Sequence, residues 1–162
     1  DVLTSGGPAV VCPGGVAECR SRTDGGATEV AYLKKRKGFV KLALEHGVPL
    51  VPAYCFGSSD LYHTSRALHG LRRWLVRNLR VAIPLYWGDW GFFCYPTPKG
   101  FPLPVRQNIV FGDPVFVAPA TPGSPTKEEV AAAHALFVQA LVKLFDEHKA
   151  AYGCGERQLE IL

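Results

Sequence analysis

Two short stretches carry the side chains best suited to a charged, hydroxyl-bearing substrate. In Pro13-Gly14-Gly15-Val16-Ala17-Glu18, two glycines are followed three residues later by a carboxylate. Without Cβ atoms the glycines let backbone N–H groups approach a ligand closely, and Glu18 could orient a hydroxyl or pin a cation such as Arg20. The residues alone allow, equally well, an ordinary strand-ending turn with a solvated Glu18. In the second stretch, Lys34-Lys35-Arg36-Lys37-Gly38-Phe39, four cations crowd the start of what reads as a helix. A helix N-terminus carries about half a positive charge, so the dipole repels them. An anion should compensate. Phosphates would suit Arg36 bidentately and Lys37 as a point charge, and anionic lipid headgroups would satisfy the same cations. The plain alternative is a solvated face. Against it stands Gly38, which inside a helix costs ~1 kcal/mol relative to alanine and suggests a close approach.

A general base is harder to find. The histidines are His46, His63, His69, His134 and His148. None has an aspartate five residues on. His134 and His148 fall on the apolar stripe of the last helix, and His46 lies near a helix C-terminus, where the dipole favours it. A structural role is expected for each. The five cysteines form no CxxC pair, which disfavours a disulfide framework and a zinc site and favours a reducing, cytosol-facing location. No metal is expected.

The elements that must position these groups follow from periodicity and turn residues. Ala9–Cys12 reads as a short strand breaking into the Pro-Gly-Gly turn, a place where α/β proteins put ligands. Residues 21–28 are turn-formers. Phe39, Leu42, Ala43 and His46 recur at helical spacing, predicting a helix over Lys34–His46 capped by Gly47. Val48–Phe56 predicts a strand ending at Gly57, and Val105–Phe111 and Val115–Val117 read as further strands. Thr126 with Glu129 forms a capping box for a final helix of ~25 residues, ~38 Å long, whose face is Val130, Ala133, Phe137, Leu141, Leu144, Phe145 and His148.

Composition bounds the rest. A chain of 162 residues, 48% of them hydrophobic, supports one core and one domain. Its net charge of +4 is unevenly spread: residues 34–80 hold ten cations against Glu45 and Asp60, leaving the remainder negative. Leu61 to Leu79 forms an apolar stripe flanked by Arg66, Arg72, Arg73, Arg77 and Arg80, the pattern of a basic membrane-surface helix. Six aromatics follow within residues 86–95, read as an interfacial anchor with a core role as the alternative. Aromatics and cations segregate and no nucleic-acid motif is present, so nucleic acid is not an expected partner. No apolar run is long enough to span a bilayer. The lack of methionine and the start at Asp1 lead to the expectation that an N-terminal part is missing.

Taken in series, Arg36–Gly47, Leu50-Val51-Pro52, Phe56-Gly57-Ser58-Ser59-Asp60-Leu61-Tyr62, Gly112-Asp113-Pro114, Pro125–Val130 and Leu141–Gly153 resemble the C-terminal half of the diacylglycerol acyltransferase type 2 family, in the family's order. That family also covers monoacylglycerol and wax-alcohol acyltransferases. The resemblance implies an α/β fold with a mixed sheet flanked by helices, glycerolipid-acyltransferase-like and incomplete at the N-terminus. Residues 1–162 would be the C-terminal part of a single acyltransferase domain. It also implies acyl-CoA as co-substrate without a further cofactor, diacylglycerol as acceptor, and residence at the cytosolic face of the endoplasmic reticulum membrane, with homo-oligomerisation left open. Gly14, Gly15 and Glu18 match a Gly-Gly-x-x-Glu block beside the family's active site, which gives Glu18 a catalytic supporting role. Arg36, Lys37, Gly38 and Phe39 would bind the acyl donor. The family's His-Pro-His-Gly block is absent here and expected upstream, so these residues alone should not turn over substrate. The alternatives are a monoacylglycerol or wax-alcohol acyltransferase, or a non-catalytic lipid-binding protein at the membrane surface.

Overall fold

A computed structural model of the protein describes residues 7–15, 28–64, 85–88, 91–94, 102–117 and 124–162. In chain order the elements are β1 (Thr28–Ala31), α1 (Gly38–His46), β2 (Ala53–Phe56), β3 (His63–Thr64), β4 (Leu85–Gly88), β5 (Gly91–Cys94), β6 (Asn108–Phe111), α2 (Lys127–His148) and β7 (Gln158–Ile161), with a 3-10 turn at Ser58–Asp60.

The helix α2 organises the core. Its capping box forms as expected: the Glu129 N–H donates to Thr126 Oγ1 at 3.2 Å, and the Thr126 N–H donates to Glu129 Oε2 at 2.7 Å. Glu128 and Glu129 in the first turn complement the dipole. Val130, Ala133, His134, Phe137, Leu141, Leu144 and Phe145 form the buried face. The helix has 22 residues, so it runs ~33 Å. Its N-terminal half meets Val40, Ala43 and Leu44 of α1, and its middle meets Ala31 and Leu33. Near its C-terminal end Phe145 is fully buried, stacked on Phe56 at 5.6 Å and edge-on to Tyr54 at 5.0 Å.

The helix α1 starts at Gly38, not Lys34. Lys34 and Lys35 occupy a turn fixed by Lys34 N–H to Leu162 O at 2.8 Å and Arg36 N–H to Leu33 O at 2.8 Å. With those backbone bonds satisfied, the cationic residues need not enter the helix, and Gly38 becomes its first residue. The expected cost of an interior glycine therefore does not arise, and a Cβ at Gly38 would meet nothing within 4 Å. The buried stripe is also rotated from the expected one: Val40, Ala43 and Leu44 are buried while Leu42 is exposed. Gly47 closes the helix in the left-handed conformation at φ 63°.

The chain is mixed α/β, but the described strands form three small sheets in place of one. β1 pairs in parallel with β7, Thr28 opposite Gln158; β2 pairs antiparallel with β6, Ala53 opposite Phe111; and β3, β4 and β5 form an antiparallel ribbon. Neither β1 nor β7 is signalled in the sequence, because each has only four residues and gains its register from the other. Pro52 holds β2 to Ala53–Phe56, and Val115 contributes a single bridge to Leu50. Ala9–Cys12, expected as a strand, pairs with no strand among the described residues. Part of the aromatic run lies in β4 and β5. The basic helix read over Leu61–Arg80 falls largely outside the described residues; within them Leu61 and Tyr62 form a bend and His63–Thr64 forms β3.

Replacing Phe145 with alanine should cost about 3–5 kcal/mol, whereas Thr126→Ala should cost about 1 kcal/mol. Urea unfolding of the two variants tests this, and equal midpoints would contradict the ranking.

Candidate active site

The expected site residues meet different fates. Gly14 is buried in the Pro13-Gly14 turn and Gly15 follows it exposed at φ 55°, while Glu18 lies outside the described residues. Lys34, Lys35, Arg36 and Lys37 are all exposed, and among the described residues none has an ion-pair partner. No acidic residue stands in the first turn of α1 and no side chain caps it. The cations are therefore open to an external anion. Phe39 is half-buried and packs edge-on to Phe137 at 5.1 Å, so its ring is part of the core that holds the basic turn in place.

Three of the histidines hold backbone carbonyls, two within their own helix and one across the fold. His134, buried on α2, bonds through Nε2 to the Leu33 carbonyl at 2.9 Å. His46 and His148 bond through Nδ1 to the carbonyls of Leu42 and Leu144, each at 3.0 Å. His134 thereby fixes the segment leading into the basic turn.

A polar cluster that sequence reasoning missed sits between β1, β2 and the C-terminal segment. The Arg157 guanidinium donates through Nη1 to Glu29 Oε1 at 2.7 Å and through Nη2 to Asp60 Oδ1 at 2.8 Å. Ser59 Oγ donates to Glu29 Oε2, and the Tyr54 hydroxyl also bonds Glu29. Glu29 is 8% exposed, yet among the described residues no buried side-chain polar atom lacks a partner. Glu29 and Arg157 are 128 residues apart, so no local spacing could have announced them. The neighbouring Phe56–Tyr62 block was the available signal.

The hydrogen bond to Asp60 pushes Arg157 further above its ordinary range, against the opposing effect of burial. Burial, then the Glu29 carboxylate, pushes the Tyr54 hydroxyl up, and burial raises the Cys154 and Cys55 thiols. All three acids stay protonated in the native state at pH values where the unfolded chain releases them. Their contribution to stability is therefore intact at neutral pH, starts to fall above about pH 8.5 for the thiols, and falls more steeply above about pH 10 for tyrosine. Thermal unfolding from pH 7 to 11 should show this decline, flattened in Tyr54→Phe; an unchanged slope would remove Tyr54 as its source. Arg157→Ala should cost about 3–5 kcal/mol at pH 7, since it strands the Glu29 charge.

The diacylglycerol acyltransferase family model matches residues 1–162. The chain is 36% identical over 170 residues to acyl-CoA wax alcohol acyltransferase 2 of Homo sapiens, covering 98% of this chain and 47% of that protein. It is 35% identical over 159 residues to diacylglycerol O-acyltransferase 2 of Bos taurus, covering 96% and 43%. It is also 36% identical over 174 residues to diacylglycerol O-acyltransferase 2-like protein 6 of Mus musculus, covering 98% and 48%. The chain thus spans a little under half the length of the curated relatives it matches. No solved structure matches it. A match along its whole length, with relatives of this one kind, means that the chain belongs to the diacylglycerol acyltransferase family, in the group of diacylglycerol O-acyltransferase 2.

Proposed function

We propose that the chain is part of an acyl-CoA-dependent O-acyltransferase that makes triacylglycerol from diacylglycerol at the cytosolic face of the endoplasmic reticulum membrane. The observation that carries this reading is the family match over the whole chain, joined to four exposed cations without described partners ahead of α1. The acceptor hydroxyl oxygen attacks the thioester carbonyl, its proton passes to a base, and the carrier thiolate leaves and is protonated. His46, His134 and His148 each hold a backbone carbonyl, so none of these three serves as the base. Glu18 supports the reacting centre beside Gly14 and Gly15. Arg36 and Lys37 hold phosphates of the donor, with Gly38 leaving room for it and Phe39 fixing the turn.

Membrane contact has support from a second surface. Among the described residues, no helix is long and apolar enough to cross a membrane. The β2–β6 pair, however, alternates: Tyr54, Phe56 and Val110 pack inward, while Ile109 and Phe111 are exposed at 63% and 68%. Ala53 and Cys55 stand opposite them in register, and Val51 and Phe116 are also exposed. Such a face, with basic residues elsewhere on the chain, suits the boundary between headgroups and acyl chains. The identity to a wax alcohol acyltransferase keeps a long-chain alcohol as the second acceptor reading.

Membranes bearing the whole protein, supplied with labelled acyl-CoA and either diacylglycerol, monoacylglycerol or a long-chain alcohol, should yield triacylglycerol as the main product; wax ester alone would select the second reading. Arg36→Ala and Lys37→Ala should each raise KM for acyl-CoA about tenfold with little change in kcat, as expected for loss of a charge-assisted bond to a donor phosphate.

A further inference from the structure

Beside Asp60 the surface opens into a cleft of about 410 Å³ whose lining includes Gly57, Asp60, Arg106, Asn108 and Tyr152. Three features give it the shape of a ligand site. A stack of rings ends at its wall: Phe145 lies on Phe56 with an interplanar angle of 18°, and Phe56 on Tyr152 at 24° and 4.9 Å. Phe145 and Phe56 are buried, but Tyr152 is 38% exposed, so the stack is open at its outer end. Next, Arg106 is exposed, and among the described residues neither its guanidinium nor the Asn108 amide has a partner. Finally, the wall is held tightly. Gly57 sits at φ 88°, and a Cβ there would strike the Arg106 carbonyl oxygen, so the backbone carrying Arg106 is pressed against the turn that carries Asp60.

We propose that this cleft holds an adenine nucleotide. The base extends the ring stack by lying on Tyr152, an arrangement available to any flat heteroaromatic ring. Asn108 reads the base edge, since an amide pairs with the amino group and ring nitrogen of adenine. Arg106 takes the ribose 3′-phosphate in its planar fork, and the 5′-diphosphate of the same nucleotide is left to Arg36 and Lys37. Asp60 accepts from a ribose hydroxyl, and Arg157 at 2.8 Å, shared with Glu29, offsets part of its charge, so the phosphate lies on the Arg106 side of the cleft. The inference rests on the acyl-CoA reading and says which end of the donor lies here: the nucleotide of the carrier. A free adenine nucleotide shares this chemistry.

Calorimetric titration of the whole protein with CoA, adenosine 3′,5′-bisphosphate, ATP and inorganic phosphate separates these cases. CoA and the bisphosphate should bind, and Tyr152→Leu and Arg106→Ala should each weaken them about tenfold, with Tyr152→Phe retaining most of the affinity and Arg106→Lys only part of it. Thermal unfolding of each variant checks that the fold is intact. Tighter binding of ATP than of CoA keeps the nucleotide site and assigns it to the free nucleotide. Phosphate binding as tightly as CoA, or CoA affinity unchanged in both Tyr152→Leu and Arg106→Ala, overturns the cleft assignment while leaving the donor reading in place. No CoA binding by the folded whole protein removes the donor reading, and this inference with it.

Discussion

Arg157 is the tie on which the arrangement around the cleft depends. Its side chain is 17% exposed and spans the gap between Glu29 on β1 and Asp60 in the 3-10 turn, so three distant parts of the chain converge on one guanidinium. Two carboxylates around one cation leave a net negative charge in a shielded place, which is unfavourable unless further donors are supplied. Ser59 and Tyr54 supply them. The parallel pairing of β1 with β7 then follows, because Arg157 is the residue immediately before Gln158. A four-residue parallel pair has little strength of its own, and the ion cluster fixes its register from one end.

The cluster and the aromatic core are two faces of one construction. Tyr54 belongs to both, its hydroxyl bonded to Glu29 and its ring edge-on to Phe56 and Phe145. Each ring pair adds ~0.5–1.5 kcal/mol beyond burial. The same stack brings Tyr152, from the turn after α2, to the cleft wall. Lys149 supports this turn from the other side: Nζ donates to the Arg157 carbonyl at 3.2 Å and lies 5.7 Å from the centre of the Phe145 ring. The C-terminal segment is thereby anchored to the end of α2 at several points.

What the sequence makes legible is what lies within a turn or two of itself. The α2 capping box, its apolar face and the Gly47 stop are local patterns, and each forms where the spacing puts it. The start of α1 is not local: it is decided by a backbone bond from Lys34 to Leu162, at the far end of the chain. The Glu29–Arg157–Asp60 cluster is invisible for the same reason, its members drawn together across separations of 97 and 128 residues. Of the candidate site, the exposed basic turn is readable from its residue types, while the open end of the ring stack requires knowing that Tyr152 reaches Phe56. Four-residue strands carry too few alternations to be told from loops, which is why β1 and β7 go unread.

The two helices differ in a way that bears on function. α2 has a full capping box and two acids in its first turn; α1 has no side-chain cap, no acid in its first turn, and Lys37 at the capping position. A missing cap costs about 1 kcal/mol, and each cation at a helix N-terminus a further ~0.3–1 kcal/mol before screening. Substituting one residue at Lys37 with serine or aspartate would recover much of that. The chain already uses such caps elsewhere, so the fold does not require a cationic α1 start. The unfavourable charge is confined to the exposed turn, away from the buried cluster where every described polar atom is matched. Cations left exposed and without a described partner against a positive dipole gain most when an anion arrives, because the same contact relieves their mutual repulsion and that of the helix end. The basic turn is thus a place where binding energy is held in reserve for a phosphate or an anionic headgroup, next to a core rigid enough to keep Phe39 and α1 in register.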